Sequence, residues 1–374
     1  MGGVGRSRAG DSGAVQGFAE DRFASVAAVF EESVDDGGAS VCVTVDGETV
    51  VDLWGGCADA AGARPWQEDT IVNVYSCTKT MTALTALLLA DRGELDLAAP
   101  VRRYWPEFAA NGKADVTVAH LLSHSSGLSG WAEPITVDDL YDWDKATALL
   151  AAQAPFWAPG TASGYHALTQ GYLVGEVVRR VAGRTVGRVF GSEVAGRLGA
   201  DFHIGLPAAE DGRVAEMIPP ATAVTPFGEP TAVQLNASTN PVLDVAAVTA
   251  SRAWRGAEIP AANGTGNARS MARVLAMLAT GEQAAGRRAL EVQVEGRDLV
   301  LGLPLRFGLG FAVANGLMPN PNTLYWGGLG GSLVLVDLDA RTTFAYAPNK
   351  MADTLADVRG LELAMAMWEA MALI

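Results

Sequence analysis

Strand-like sequence lies at the two ends of this chain and helical sequence fills the middle, and this distribution narrows the possible folds more than any other feature. Ser40–Val45 and Thr49–Trp54 flank Asp46-Gly47, a strong hairpin signal. Further strand-like runs cover about 307–314, 332–338 and 342–347. Between them the pattern is helical at 76–92, stopping at Gly93, then at 116–124, 144–153, 166–182 (with Gly183 after it) and 267–280. An amphipathic helix is expected at 17–34 and a last helix at 354–372. This order predicts an α+β fold, with one antiparallel sheet built from both termini, flanked by helices, and a mainly helical domain inserted. The expected division is a disordered segment 1–16, a sheet domain from 17–75 and 260–374, and a helical domain 76–259. Within the latter, 205–242 carries Pro207, Pro219, Pro220, Pro226, Pro230 and Pro241 with little periodicity. So long an irregular stretch reads either as a lid-like binding loop or as a disordered excursion. No internal repeat is visible.

With 374 residues, 49% hydrophobic and 18% charged, the chain has ample material for a buried core. A net charge of −15 disfavours nucleic acid as a partner. Cys42, Cys57 and Cys77 form no C-x-x-C pair, and an odd count suits free thiols in a reducing compartment. The first 16 residues hold arginines but no apolar core of a secretory signal, and Met81–Ala90 is too short to span a bilayer. A cytoplasmic protein without a membrane partner is expected; the oligomeric state stays open. No G-x-G-x-x-G, Walker A or G-x-S-x-G pattern occurs, so neither nucleotide binding nor an α/β-hydrolase elbow is indicated, and no cofactor is expected. His120 and His124 have a zinc-compatible spacing, but no acidic residue lies between them, and no metal site is expected.

Ser76-Cys77-Thr78-Lys79 is an S-x-x-K match that opens an apolar helix after the β-like run Thr70–Tyr75. Serine is a poor nucleophile until a neighbour takes its proton, and positions i and i+3 share a helix face, so Lys79 can address Ser76. A helix N-terminus beside the attacked carbonyl would favour an oxyanion. The chain has only Lys79, Lys113, Lys145 and Lys350, which gives the match weight, though a surface lysine near a capping serine reads equally well from the motif alone. Cys77 points about 100° away and reads as packing. Tyr165 follows the turn Pro159–Gly164 at a helix start. Beside an ammonium its phenol would lose its proton more easily than an ordinary tyrosine and act as a base; alone, such a tyrosine is usually packing. Tyr325-Trp326-Gly327-Gly328-Leu329-Gly330-Gly331-Ser332 precedes the strand-like Leu333–Leu338, and its glycines permit either close approach to a ligand or merely a tight turn.

These boxes, in this order, resemble the serine β-lactamase and penicillin-binding-protein superfamily, in its class C β-lactamase-like branch with the family VIII carboxylesterases and related acyltransferases. Leu95–Val101, His120–Leu128, Tyr165–Thr169 and Gly308–Phe311 add further matches, so the resemblance spans roughly 17–372. It implies Ser76 as acylated nucleophile, Lys79 and Tyr165 as proton shuttles, and the N–H groups of Ser76 and Leu329 as oxyanion hole. Trp326, Gly327, Gly328 and His166 would line the substrate site, His166 either orienting Tyr165 or only bonding in the wall. Two departures stand out. Ala167 occupies the place where penicillin-binding relatives carry Asn, and Trp326 replaces the cation that opens their third box. A lactam carboxylate thereby loses its charge partner. A small-molecule ester hydrolase is the first expectation; a transacylase passing the acyl group to an amine or alcohol is the alternative. A β-lactamase and an inactive binding protein rank behind both.

Overall fold

The structure, a computed structural model, describes residues 13–34, 37–220, 229–281, 284–314, 316, 318–352 and 357–372. Its strands are β1 (Gln16–Ala19), β2 (Gly38–Val45), β3 (Glu48–Gly56), β4 (Val72–Asn73), β5 (Phe202–His203), β6 (Thr265–Gly266), β7 (Val294–Arg297), β8 (Pro304–Phe307), β9 (Ala312–Val313), β10 (Thr323–Gly327), β11 (Leu333–Asp337) and β12 (Thr342–Pro348). Among the described residues nine of them form one sheet in the order β1-β3-β2-β12-β11-β10-β9-β8-β7, and β4-β6-β5 form a small second one. All the sheet's ladders are antiparallel. The seam between the chain's two ends is the β2–β12 pair, seven residues long from Val45↔Thr342 to Ala39↔Pro348.

Both faces of this seam are covered, so β2 and β12 are buried along nearly their whole length rather than at alternate residues. On one face Phe23, Phe30, Val41, Val43, Phe344 and Trp368 join α1 (Ala24–Ser33) and the C-terminal helix Arg359–Ala370 into one cluster. On the other, the helix Ala268–Ala279 lies along β2 and β12, with Thr343 Oγ1 donating to Ala272 O at 3.1 Å. Beyond it sits the helical part: α2 (Thr78–Asp91), α3 (Val118–Leu122), α4 (Trp143–Ala152) and α5 (Thr169–Ala182). From Thr78 to Ala90 every residue of α2 is buried, so it is a central helix with no solvent face. No described helix is long and apolar enough to cross a membrane.

The expected α+β architecture is present, with several local differences; the strand expected at 307–314 is split into β8 and β9, and β10 was not foreseen. The helical pattern at 17–34 holds only from Ala24; Gln16–Ala19 pair with β3 instead. Gly17 sits at φ +103°, where a Cβ would lie 2.0 Å from Asp52 O, and the chain stays extended through Glu20. The β-like run before Ser76 shortens to Val72–Asn73, because Tyr75 turns into the left-handed region at φ +44° and starts the 3-10 turn Tyr75–Cys77. The β7–β8 hairpin was not foreseen. In 205–242, residues 221–228 lie outside the described residues; Ala232–Thr239 is helical, capped by Thr231.

Candidate active site

The segment carrying Ser76 is fastened from three sides. Thr78 Oγ1 donates to Tyr75 O at 2.5 Å and accepts from Gly264 N at 2.8 Å. Ser332 Oγ donates to Val74 O at 2.8 Å, tying the β10–β11 turn to the residues just before the serine. The Cys77 thiol, fully buried, points to Trp326 O at 3.7 Å, and burial pushes its pKa up to about 12. Cys77 is therefore a packing thiol, the role its helical direction suggested.

The structure brings Ser76, Lys79, Tyr165 and Trp326 together. Lys79 Nζ lies 3.1 Å from Ser76 Oγ, and also donates to Ala167 O at 2.7 Å and Ala261 O at 2.8 Å. Tyr165 OH is 2.6 Å from Ser76 Oγ, and Trp326 Nε1 donates to that phenol oxygen at 3.3 Å. Two carbonyls can take both hydrogens of a neutral amine, leaving its lone pair for the Ser76 hydroxyl. Electrostatics favour that state: burial holds Lys79 well below the usual lysine range. Burial likewise raises the Tyr165 phenol far above its ordinary value, outweighing its hydrogen bonds to Ser76 Oγ and from Trp326 Nε1. Burial opposes the expected ordering, an ammonium that draws the proton off tyrosine. Desolvation penalises both charged forms and so favours amine and phenol neutral together.

Tyr165 is held by its main chain as much as by its ring. Gly164 N donates to His124 O at 3.0 Å, Tyr165 N to Asp298 Oδ1 at 3.0 Å, and His166 N to His124 Nδ1 at 3.1 Å. Three consecutive amides are thus fixed. The ring packs among His124, Trp326 and Phe307, with centroids 4.9 Å from His124 and 5.1 Å from Trp326. His124, in the left-handed region just past α3, is buried, and burial keeps its imidazole neutral. His166 is not free to bind substrate. Its Nε2 accepts from Ser126 Oγ (2.8 Å) and Leu128 N (3.2 Å), its Nδ1 donates to Gly164 O (2.5 Å), and burial lowers its pKa to about 3. It belongs to the wall. His120 accepts from Thr117 N in a capping box, so the two histidines of the zinc-like spacing face different tasks. Among the described residues no group of three metal-ligating side chains occurs.

The glycine turn after β10 closes the site. Gly328 N donates to Ser332 O at 2.7 Å, and a Cβ on Gly328 would lie 2.4 Å from Val74 O. The turn can pass this close to the Ser76 segment only as glycine. Leu329 follows on that turn with an exposed side chain. A cavity of about 850 Å³ shares Gly327–Ser332 but extends toward Tyr325, Leu333, Leu335 and Trp368; Ser76, Lys79 and Tyr165 do not line it, so the chemistry lies elsewhere.

Sequence reasoning missed Asp298 and the anchoring part of His124. His124 was visible within the His120–Leu128 box but only as framework; Asp298 stands in a stretch with no motif and no periodicity.

Fold and site define a serine hydrolase of the esterase type. The comparisons agree. The β-lactamase family profile matches residues 26–365. The esterase/β-lactamase LipL of Mycobacterium tuberculosis is 38% identical over 372 residues, covering 91% of this chain and 84% of the relative. A family VIII carboxylesterase crystal structure superposes with TM-score 0.90 at 42% identity, covering 96% of this chain and all of that one (100%). EstA from Arthrobacter nitroguajacolicus superposes with TM-score 0.86 at 33% identity, covering 96% and 99%. The chain belongs to the β-lactamase family.

Proposed function

We propose that this enzyme hydrolyses small carboxylic esters through an acyl-enzyme on Ser76, with Lys79 as general base and Tyr165 as general acid. The observation that carries the reading is the position of Ser76 Oγ, 3.1 Å from an amine and 2.6 Å from a phenol, both kept neutral by burial. Lys79 Nζ takes the Ser76 proton as Oγ attacks the ester carbonyl. The tetrahedral oxyanion is held by the N–H groups of Ser76 and Leu329. On collapse, Tyr165 gives its proton to the departing alcohol. The resulting phenolate, beside the Lys79 ammonium and the Trp326 N–H, then takes a proton from the attacking water. Lys79 returns its proton to Oγ as the acid leaves, and both groups are neutral again. Support for esters comes from the relatives, an esterase/β-lactamase and a family VIII carboxylesterase. A short p-nitrophenyl ester as substrate and a fluorophosphonate as label test the assignment: a label on any serine other than Ser76 would overturn it. Amines added to the same assay test water as the acceptor.

Two further outcomes are expected. Efficient penicillin turnover should be absent, with kcat/KM far below that of the best ester. Trp326 gives its indole N–H to Tyr165 and carries no charge for a lactam carboxylate, and Ala167 offers no side-chain amide. Parallel kinetics on benzylpenicillin and a p-nitrophenyl ester check this. Gly328→Ala should lower kcat about 100-fold, the usual scale for a spoiled oxyanion donor, because the new methyl pushes the Leu329 turn off Val74. Native kcat in a folded Gly328→Ala protein would count against Leu329 as donor.

A further inference from the structure

The β7–β8 connection, residues 298–303, reaches back from the sheet edge to the segment that carries Tyr165. Asp298 is its first residue and is almost fully buried, 1% exposed. One oxygen, Oδ1, accepts three backbone N–H groups: Tyr165 at 3.0 Å, Val300 at 2.9 Å and Leu301 at 2.8 Å. The other, Oδ2, is buried without a partner among the described residues. Beside it Leu299 N donates to Ser163 O at 2.8 Å, and Gln234 Nε2, from the helix Ala232–Thr239, donates to Val300 O at 3.1 Å.

For folding alone this is a poor arrangement. A buried carboxylate with one bare oxygen costs stability, and a neutral acceptor would close the same turn more cheaply. The turn's own amides, Val300 and Leu301, need an acceptor; Tyr165 N does not belong to that turn and lies 133 residues away in sequence. Asp298 therefore couples the hairpin to one residue of the reacting cluster. Tyr165 has little latitude: its phenol must stand 2.6 Å from Ser76 Oγ, and its main chain sets where the ring begins.

We propose that Asp298 is a positioning residue for acyl transfer, acting through Tyr165 by holding its amide so that the phenol stays on Ser76 Oγ. The inference rests on the Ser76–Tyr165 reading above. Misplacing a reacting group by about 1 Å costs on the order of 100-fold in rate, so Asp298→Ala should lower kcat on an alkyl ester such as ethyl butyrate, whose leaving group needs the Tyr165 proton, by about that factor, with KM changing far less. Asp298→Asn keeps an acceptor oxygen and should return kcat to within about threefold of native. In a Tyr165→Phe background, Asp298→Ala should cost less than about threefold more, because its target hydroxyl is already gone. If the alanine variant does not fold, Asp298→Glu keeps the charge but shifts the carboxylate by one methylene, and the same kcat loss is expected. Native kcat in the Ala or Glu variant, a full multiplicative loss in the Tyr165→Phe background, or an Asn variant as impaired as Ala would each overturn the proposal. Fluorophosphonate labelling separates the two failures: a label on Ser76 with an unaffected Asp298→Ala enzyme refutes only the positioning role, whereas no label on Ser76 refutes the reading beneath it.

Discussion

Ser76→Ala is expected to leave a folded protein with kcat reduced on the order of 10⁶-fold, the scale seen when the nucleophile of a coupled serine site is removed. Nothing nearby can replace it: Cys77 turns away to Trp326 O with its thiol firmly protonated. The fold should survive, since the change removes one hydroxyl from a half-buried position and leaves Thr78, Ser332 and Gly264 to fasten the segment. A loss of about 1 kcal/mol is the expected scale for the hydrogen bonds removed. Steady-state kinetics and a thermal melt on the same sample check both halves. Near-native kcat would end the acyl-Ser76 reading.

Lys79 and Tyr165 should each matter by about 10²–10⁴-fold in kcat, in ways that can be told apart. Lys79→Ala removes the base, and Lys79→Arg should be equally poor, because a guanidinium cannot be deprotonated to receive the Ser76 proton. Survival of activity in the Arg variant would show that charge, not basicity, is what the site uses. Tyr165→Phe removes only the phenolic oxygen. As the acid for the leaving group, Tyr165 should matter most for alkyl esters and least for nitrophenyl esters, whose leaving group departs as a stable anion. Equal losses on both would contradict that role. The two losses should not multiply, since both act on one proton circuit. The sign of the pH dependence follows from burial. Lys79 is held below its usual range, so kcat/KM should fall as pH drops through that lowered value, when the base becomes protonated. The Tyr165 phenol is held above its usual range, so its alkaline limb should lie beyond that of ordinary tyrosine.

What could be read from the sequence, and what could not, divides along local and non-local lines. Ser76 and Lys79 sit three apart, the serine in the 3-10 turn that leads into the helix of the lysine, and the Asp46-Gly47 hairpin and the Gly93 and Gly183 stops depend on neighbours in sequence; all were legible. Tyr165 and Trp326 were reached through their boxes and a family resemblance rather than through spacing. The protonation of the site was not legible, because it depends on how much water α2 and the glycine turn exclude, and no motif records that. Asp298 was invisible for a related reason. Its partners, Tyr165 and its own turn, meet only after the β7–β8 hairpin folds at the far edge of the sheet. His166 looked like a site residue because it adjoins Tyr165, yet its ring turns to Ser126 and Leu128.

The β2–β12 seam has a consequence for how the protein is made. Thr44 and Thr343, 299 positions apart in sequence, share a hydrogen bond at 2.6 Å in the middle of the sheet. At ribosomal rates of about 5–20 residues per second, β2 waits roughly 15–60 s for its partner strand. During that interval the nascent β2–β3 hairpin presents an apolar edge and uncovered faces to solvent or to a chaperone. Emergence of β12, rather than emergence of the Ser76 helix, then completes the centre of the sheet. Stalled or shortened translation products would carry Ser76, Lys79 and Tyr165 in full and yet lack the strands that bring Trp326 and Asp298 to them.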